Sequence, residues 1–345
     1  MHDNPLAFDL ARLAAYLETN LDGFHGLHTA TKFSGGQSNP TFLLTADSGR
    51  YVLRRKPPGK LLPSAHAVDR EYRVMRALYG SEVPVARPYL LCEDDAVIGS
   101  MFYVMSFEEG RIFWDPALPE LDKDQRAPVH DEIIRVLAAL HDLNPDAVGL
   151  GDFGKAGNYF ARQFARWEKQ YRASETETIP AMEQTIAWLA ANLPEDDGQV
   201  GLVHGDYRID NFIFHATEPR ALAVLDWELS TLGHPMADLA YYCMGLRLPD
   251  LTSVKGLAGQ DRGPLGIPSE ADMVRRYCGL RGIDLPEHWN FYLAFSFFRM
   301  SAILQGVYKR ALDGTASNTR ALELGKAVTP LSQMALDAIR EPRPF

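Results

Sequence analysis

The hydrophobic pattern of this chain changes character near residue 108, and that change limits the folds open to it. Before it, short apolar runs alternate with turn signals. Residues 31–60, TKFSGGQSNPTFLLTADSGRYVLRRKPPGK, read as strand, Gly-rich turn, strand, turn, strand, with Asp47-Ser48-Gly49 at the second turn. Residues 7–20 carry the spacing of a first helix. Residues 64–81 carry that of a second, with Ser64 as N-cap and Val68, Tyr72, Met75 and Leu78 at helical spacing. After Pro84 and Pro88, residues 88–94 and 97–107 read as two more strands. The first part is therefore a small sheet of about five strands with one main helix inserted after the third.

From Glu109 onward helical periodicity takes over, at 128–142, 156–174, 180–192, 234–246, 270–280, 287–312 and 318–340. Residues 248–269, rich in Gly and Pro, read as a long loop. The exception is 200–226, where short apolar strands (201–204, 212–215, 221–226) flank acidic turns. The expected class is α+β and bilobal. A β-rich antiparallel lobe covers 1–107, a larger and mostly helical lobe covers 108–345, and ligands are expected in a cleft between them.

Composition narrows the partners. A chain of 345 residues, 46% hydrophobic, can bury a sizeable core. A net charge of −10 argues against a nucleic-acid partner, which needs a basic footprint. The most apolar late stretch, 291–308, contains Arg299 and Gln305, so a buried helix is expected rather than a membrane span. The three cysteines form no C-x-x-C pair and are too few for a disulfide framework. With acids interrupting the apolar N-terminus, a cytoplasmic setting is expected. These patterns set no oligomeric state.

The densest chemistry lies in HGDYRIDN, residues 204–211, followed by Asp226 at the end of an apolar run. Phosphoryl transfer from ATP needs a carboxylate to accept the proton of an attacking hydroxyl, and oxygen ligands for Mg²⁺. Asp206 supplies the first; Asn211 and Asp226 supply the second. Protein kinases space the same groups as H-R-D-x-x-x-x-N and D-F-G. Asp226-Trp227-Glu228 takes the D-F-G place, and Arg208 stands where it could offset charge on the transferring group. His204 and Asp210 read as supports of the loop. An isolated H-G-D would more often be a polar turn; the added Asn211 and Asp226 favour the catalytic reading.

The N-terminal part supplies candidate nucleotide contacts. Gly35, Gly36, Gln37, Ser38 and Asn39 form a turn whose backbone could approach phosphates. Arg54 occupies the place of the kinase strand lysine, and Glu71 on the next helix can pair with it. Ser106 and Glu108 are candidate adenine-edge contacts, and Met105 a candidate pocket wall, with a core methionine as the alternative.

These motifs resemble those of the aminoglycoside phosphotransferase and choline kinase-like enzymes, which share the protein-kinase-like fold. V-H-G-D-Y-R-I-D-N and A-V-L-D-W-E-L-S-T-L-G-H-P-M-A-D-L-A-Y carry the resemblance over roughly residues 25–340. L-R-R-K-P-P-G-K-L-L-P-S-A-H-A-V-D-R-E-Y resembles the kinase-like domain of acyl-CoA dehydrogenase family members ten and eleven. No dehydrogenase domain follows, so a stand-alone relative is expected. The resemblance implies ATP and Mg²⁺ as cofactors, Asp206 as base, Asn211 and Asp226 as metal ligands, and Asp238 as a structural acid beneath the loop. It also suggests a hydroxyacyl-CoA acceptor. Arg54 departs from the lysine of antibiotic kinases. Arg299, Lys309 and Arg310 beside aromatic residues suit an acyl or phosphate-bearing acceptor, unless those groups form core and a solvated face. Trp114 and Asp115 are further acceptor-side candidates. Aminoglycoside or choline-like acceptors, a non-catalytic nucleotide-binding module and a metal-dependent hydrolase stay open.

Overall fold

The computed structural model describes residues 8–33, 39–57, 66–250, 255–315 and 320–345. The chain divides into two compact units. One comprises Met1–Ile112, Asp146–Leu150 and Asp210–Ser230; the other comprises Phe113–Pro145, Gly151–Ile209 and Thr231–Phe345.

The first unit holds a five-stranded antiparallel sheet in the order β1 (Leu27–Lys32), β2 (Thr41–Ala46), β3 (Gly49–Arg55), β5 (Phe102–Ser106), β4 (Pro88–Cys92). Successive side chains on a strand point to opposite faces. Leu53 and Arg55 of β3 lie on one face, where Leu53 joins Phe42, Leu44, Phe102 and Val104 in a core closed by Leu13 and Leu17 of the helix Leu10–Asn20. Val52 and Arg54 take the other face, the side of the helix Val68–Leu78. That helix buries Val68, Val74, Met75 and Leu78, each contributing about 1.5–3 kcal/mol.

The expected five strands and inserted helix are all present. The second helix is shorter than expected and starts at Val68, with Ala67 in the cap position and no side-chain cap; Ser64 lies outside the described residues. Val97 and Ile98, expected in a strand, sit in the helical turn Asp95–Ile98, which Asp94 caps by accepting from the Ala96 N–H at 2.9 Å. The same unit contains the hairpin β7 (Phe212–Phe214) and β8 (Ala221–Val224). The Val224 N–H donates to the Pro84 carbonyl at 2.9 Å, and Arg111 bridges to Phe214.

The second unit is built on the helix Trp289–Leu312, which packs on the helices Tyr159–Ser174, Pro180–Ala191, Met236–Arg247 and Val328–Arg340. Phe291, Phe295 and Phe298 are buried there and meet Phe160 and Phe164 at ring distances of 5.4–5.6 Å. Among the described residues no helix is long and apolar enough to cross a membrane. The helix Lys123–Asp142 begins five residues before its expected start at 128. Pro128 marked the apparent start, yet it is accommodated inside the helix. The Gln125 side chain accepts from the Asp122 N–H at 3.2 Å and closes the true first turn. A short pair, β6 (Gly201–Val203) with β9 (Thr231–Gly233), completes this unit.

Three buried histidines in this unit carry a pH signature. His130 Nε2 faces the Pro116 carbonyl at 3.1 Å and Nδ1 faces the Tyr242 hydroxyl at 2.6 Å. A carbonyl only accepts, so Nε2 carries the proton and Nδ1 accepts from Tyr242. Burial lowers His130 to about 4, and lowers His141 and His234 as well. Above pH 6.5 the folded and unfolded forms of His130 are both neutral. As pH falls from about 6.5 to about 4, the unfolded chain takes up the proton first, which costs the fold about 3 kcal/mol. Urea midpoints of the wild type are therefore expected to fall relative to those of His130→Gln across that window. Parallel curves would refute a neutral buried His130.

Candidate active site

In the sheet-bearing unit, register decides what Arg54 meets. Arg54 pairs with Thr41 on β2 and with Tyr103 on β5, so these three side chains share a face. The helix above presents Glu71 to them. Arg54 Nε lies 2.8 Å from Glu71 Oε2, though not aligned as a hydrogen bond. Tyr103 donates to the same oxygen at 3.1 Å, and the Asn39 amide donates to Oε1 at 2.7 Å. Burial raises the Glu71 carboxyl against the pull of Arg54, and Asp226 and Glu228 add to the rise. Desolvation opposes the charge on Arg54; Glu71, Tyr103, Asp226 and Glu228 outweigh it and raise its pKa.

The other end of Arg54 reaches the hairpin. Its Nη2 donates to Asp226 Oδ1 at 2.7 Å and lies 3.9 Å from Glu228. Phe212 pairs with Val224, and the Asn211 carbonyl accepts from the Leu225 N–H at 2.8 Å. Asn211 and Asp226 therefore bracket the open end of one hairpin. Asp226 has φ 64° and ψ 59°, the left-handed region, which costs a side chain on the order of 1 kcal/mol. The next residue locks that turn: Trp227 is buried, and its indole N–H donates to the Val224 carbonyl at 3.0 Å.

The remaining nucleotide-contact candidates divide. Gly35, Gly36, Gln37 and Ser38 lie outside the described residues. Asn39 is fully buried against Glu71 and His66. Met105 is buried opposite Val52. Ser106 bonds both ways with the Arg87 backbone, at 2.9 and 2.8 Å, and its hydroxyl donates to Glu108.

In the helical unit the loop after β6 is pinned from below. Gly205 turns with φ 84°, a conformation that suits a residue without Cβ. Asp238 Oδ2 accepts from the His204 N–H at 2.6 Å, and Oδ1 accepts from the Gly205 N–H at 2.9 Å. Burial works against this carboxylate, but His141, His204 and the Gly205 N–H hold it below the usual range. His141 approaches Asp238 at 3.4 Å, is bonded to the Tyr277 hydroxyl at 2.7 Å, and Arg281 donates to that hydroxyl at 2.8 Å. His204 is buried, and its Nδ1 accepts from the Asp206 N–H at 3.2 Å. Asp238 and His204 thus support the loop, as expected.

Asp206 Oδ1 accepts from the Tyr241 hydroxyl at 2.9 Å. Burial raises Tyr241 above its ordinary value, and the Asp206 charge adds to the rise, so the phenol keeps its proton near neutral pH. Arg208 and Arg299 both bear electrostatically on Tyr241. Arg299 donates to the Gly205 carbonyl at 2.7 Å and lies over the rings of Trp167 and Tyr241 at 5.7 and 5.3 Å. It is thus turned onto the loop, whereas Lys309, on the same helix, pairs with Asp313 at 2.5 Å on the surface. Trp114 is 65% exposed, and Asp115 caps its own turn by accepting from the Ala117 N–H at 2.9 Å.

Tyr241 escapes a reading of the motif alone, although one signal marks it. It stands three residues after Asp238 on the helix Met236–Arg247, and residues so spaced share a helix face.

Among the described residues no group of three or more His, Cys, Asp and Glu side chains forms a cation site. The donor chemistry of Asn211 and Asp226 nonetheless fits magnesium, which takes hard oxygens, one or two carboxylates, and otherwise water and phosphate.

A model of the phosphotransferase enzyme family matches residues 29–271. Mouse acyl-CoA dehydrogenase family member 10 is 47% identical over 327 residues, which is 93% of this chain and 30% of that relative. The chain therefore spans about a third of that relative's length. A solved structure from Ralstonia eutropha, a candidate aminoglycoside phosphotransferase, is 49% identical with a TM-score of 0.88, covering 96% of this chain and 98% of that one. An aminoglycoside phosphotransferase solved in a ternary complex with AMP-PNP and hygromycin B is 15% identical with a TM-score of 0.63, covering 96% and 99%; that likeness is one of fold.

Proposed function

Because the chain belongs to the phosphotransferase enzyme family, we propose that it moves the γ-phosphoryl group of Mg·ATP to a hydroxyl of a hydroxyacyl-CoA-type acceptor. It is a phosphotransferase with an alcohol group as acceptor. The observation that carries the reading is the Arg54 bridge, in which one partly buried strand cation touches both the helix carboxylate Glu71 and the hairpin carboxylate Asp226. That arrangement matches the demand of phosphoryl transfer for a fixed cation at the donor phosphates and a carboxylate at the metal.

Asp206 orients the attacking hydroxyl and accepts its proton. Asn211 and Asp226 would hold magnesium, which when bound offsets charge on the donor phosphates. Arg54 and Arg208 offset further charge. Nucleotide contacts from Gly35, Gly36, Gln37, Ser38 and Asn39, and from Met105, Ser106 and Glu108, belong to the same proposal. The acceptor class draws on the name of the acyl-CoA dehydrogenase relative. The test is ADP formation at fixed Mg·ATP with hydroxyacyl-CoAs, choline, sugars and aminoglycosides offered one at a time. Turnover confined to aminoglycosides would overturn the acceptor class.

Arg54 yields a separate expectation. Arg54→Gln removes one charge-assisted contact, worth about 1.5–3 kcal/mol. It is expected to lower kcat/KM for Mg·ATP by roughly ten- to hundredfold. An unchanged kcat/KM in a folded variant would remove Arg54 from the phosphate site.

A further inference from the structure

Three side chains from three helices are linked to the loop that carries the carboxylate assigned as base. Asp206 follows Gly205 on the loop; Tyr241 lies on Met236–Arg247, Trp167 on Tyr159–Ser174 and Arg299 on Trp289–Leu312. A carboxylate on a short loop can rotate about both of its side-chain torsions, so its lone pairs need an external fix to face an acceptor hydroxyl. The Tyr241 hydroxyl supplies a directional bond to Oδ1. A tyrosine ring in turn needs its own rotation fixed. Arg299 does this by lying over the Tyr241 ring while donating to the Gly205 carbonyl, one residue before Asp206. Trp167 holds the guanidinium from its own ring face.

We propose that Tyr241 is a positioning residue for the Asp206 carboxylate, and that Arg299, wedged between Trp167 and Tyr241, keeps Tyr241 and the loop carbonyl in register. The proposal rests on Asp206 being the base of the phosphotransferase reading. Tyr241 contributes the orientation that makes the proton transfer productive, an effect that appears in kcat and not in nucleotide binding.

The experiment uses the full chain and the best acceptor from a panel of hydroxyacyl-CoAs, choline, sugars and hygromycin B. Tyr241→Phe keeps the ring under Arg299 and removes only the donor. It is expected to lower kcat by roughly ten- to hundredfold while KM for ATP and the urea midpoint stay near the wild type. In an Asp206→Asn background the same change is expected to cost nothing further, because its effect passes through the carboxylate. A loosened structure would instead lower the residual rate of Asp206→Asn as well. Arg299→Lys keeps the charge but loses the planar fork over the two rings, and is expected to show a smaller kcat loss of the same kind. Full kcat in Tyr241→Phe, or equal losses with and without Asp206, overturns the proposal and leaves the phosphotransferase reading intact. No turnover by the wild type on any acceptor overturns both.

Discussion

Asp206→Asn is expected to lower kcat by at least about hundredfold, the lower end of what a positioned general base contributes, with KM for ATP little changed. Asparagine keeps the shape and can still accept from the Tyr241 hydroxyl, which now bonds to Asp206 at 2.9 Å. What it loses is the charge and the capacity to take the hydroxyl proton. The backbone around it should stay put, because the Asp206 N–H is bonded to His204 and the two preceding N–H groups to Asp238. Stopped-flow or steady-state ADP assays read the outcome. Undiminished kcat removes Asp206 from the reaction.

The largest expected effect on stability comes from Asp238→Ala. The carboxylate is 1% exposed and accepts from two backbone N–H groups, with His141 as a third partner at 3.4 Å. Alanine would strand two buried N–H donors and remove the acceptor that faces His141. Leaving buried donors unsatisfied costs about 1–3 kcal/mol each, together a large share of the roughly 5–15 kcal/mol that a domain has. Asp238→Asn keeps one acceptor oxygen and should lose about half as much. Urea unfolding measures both. A loss below about 1 kcal/mol for Asp238→Ala would mean that water or a rearranged loop satisfies those donors.

The β-rich part was legible because its strands are short runs of five to seven residues, mostly apolar, that end at clear turn residues such as Asp47-Ser48-Gly49. Arg54 and Glu71 were legible for the same reason. The strand period fixes the face of Arg54, and the helix period fixes Glu71 beside Val74, Met75 and Leu78. The membership expected from V-H-G-D-Y-R-I-D-N and A-V-L-D-W is borne out, as is the α+β class. Other features carried no local signal. The three residues of β9 are too few to show a period, and their pairing with β6 crosses the entire hairpin in sequence. Arg299 read equally well as a solvated face, because only the packed helices show that its guanidinium turns onto the Gly205 carbonyl. Tyr241 lies thirty-five residues from the carboxylate it holds, and nothing in either segment alone joins them. Asp238 became a support by resemblance; the two N–H bonds it accepts give that role its physical cause.

Phosphoryl transfer to a hydroxyl is tested most directly by following the γ-phosphoryl group itself. ATP labelled at the γ position is incubated with magnesium, the full chain and each hydroxyacyl-CoA, and the acceptor is then examined by mass spectrometry. The expected result is an acceptor heavier by one labelled phosphoryl group, formed one for one with ADP and at least about hundredfold more slowly in Asp206→Asn. Bound ATP with no labelled product on any acceptor, or label recovered only as free phosphate at a rate that no acceptor changes, would contradict it.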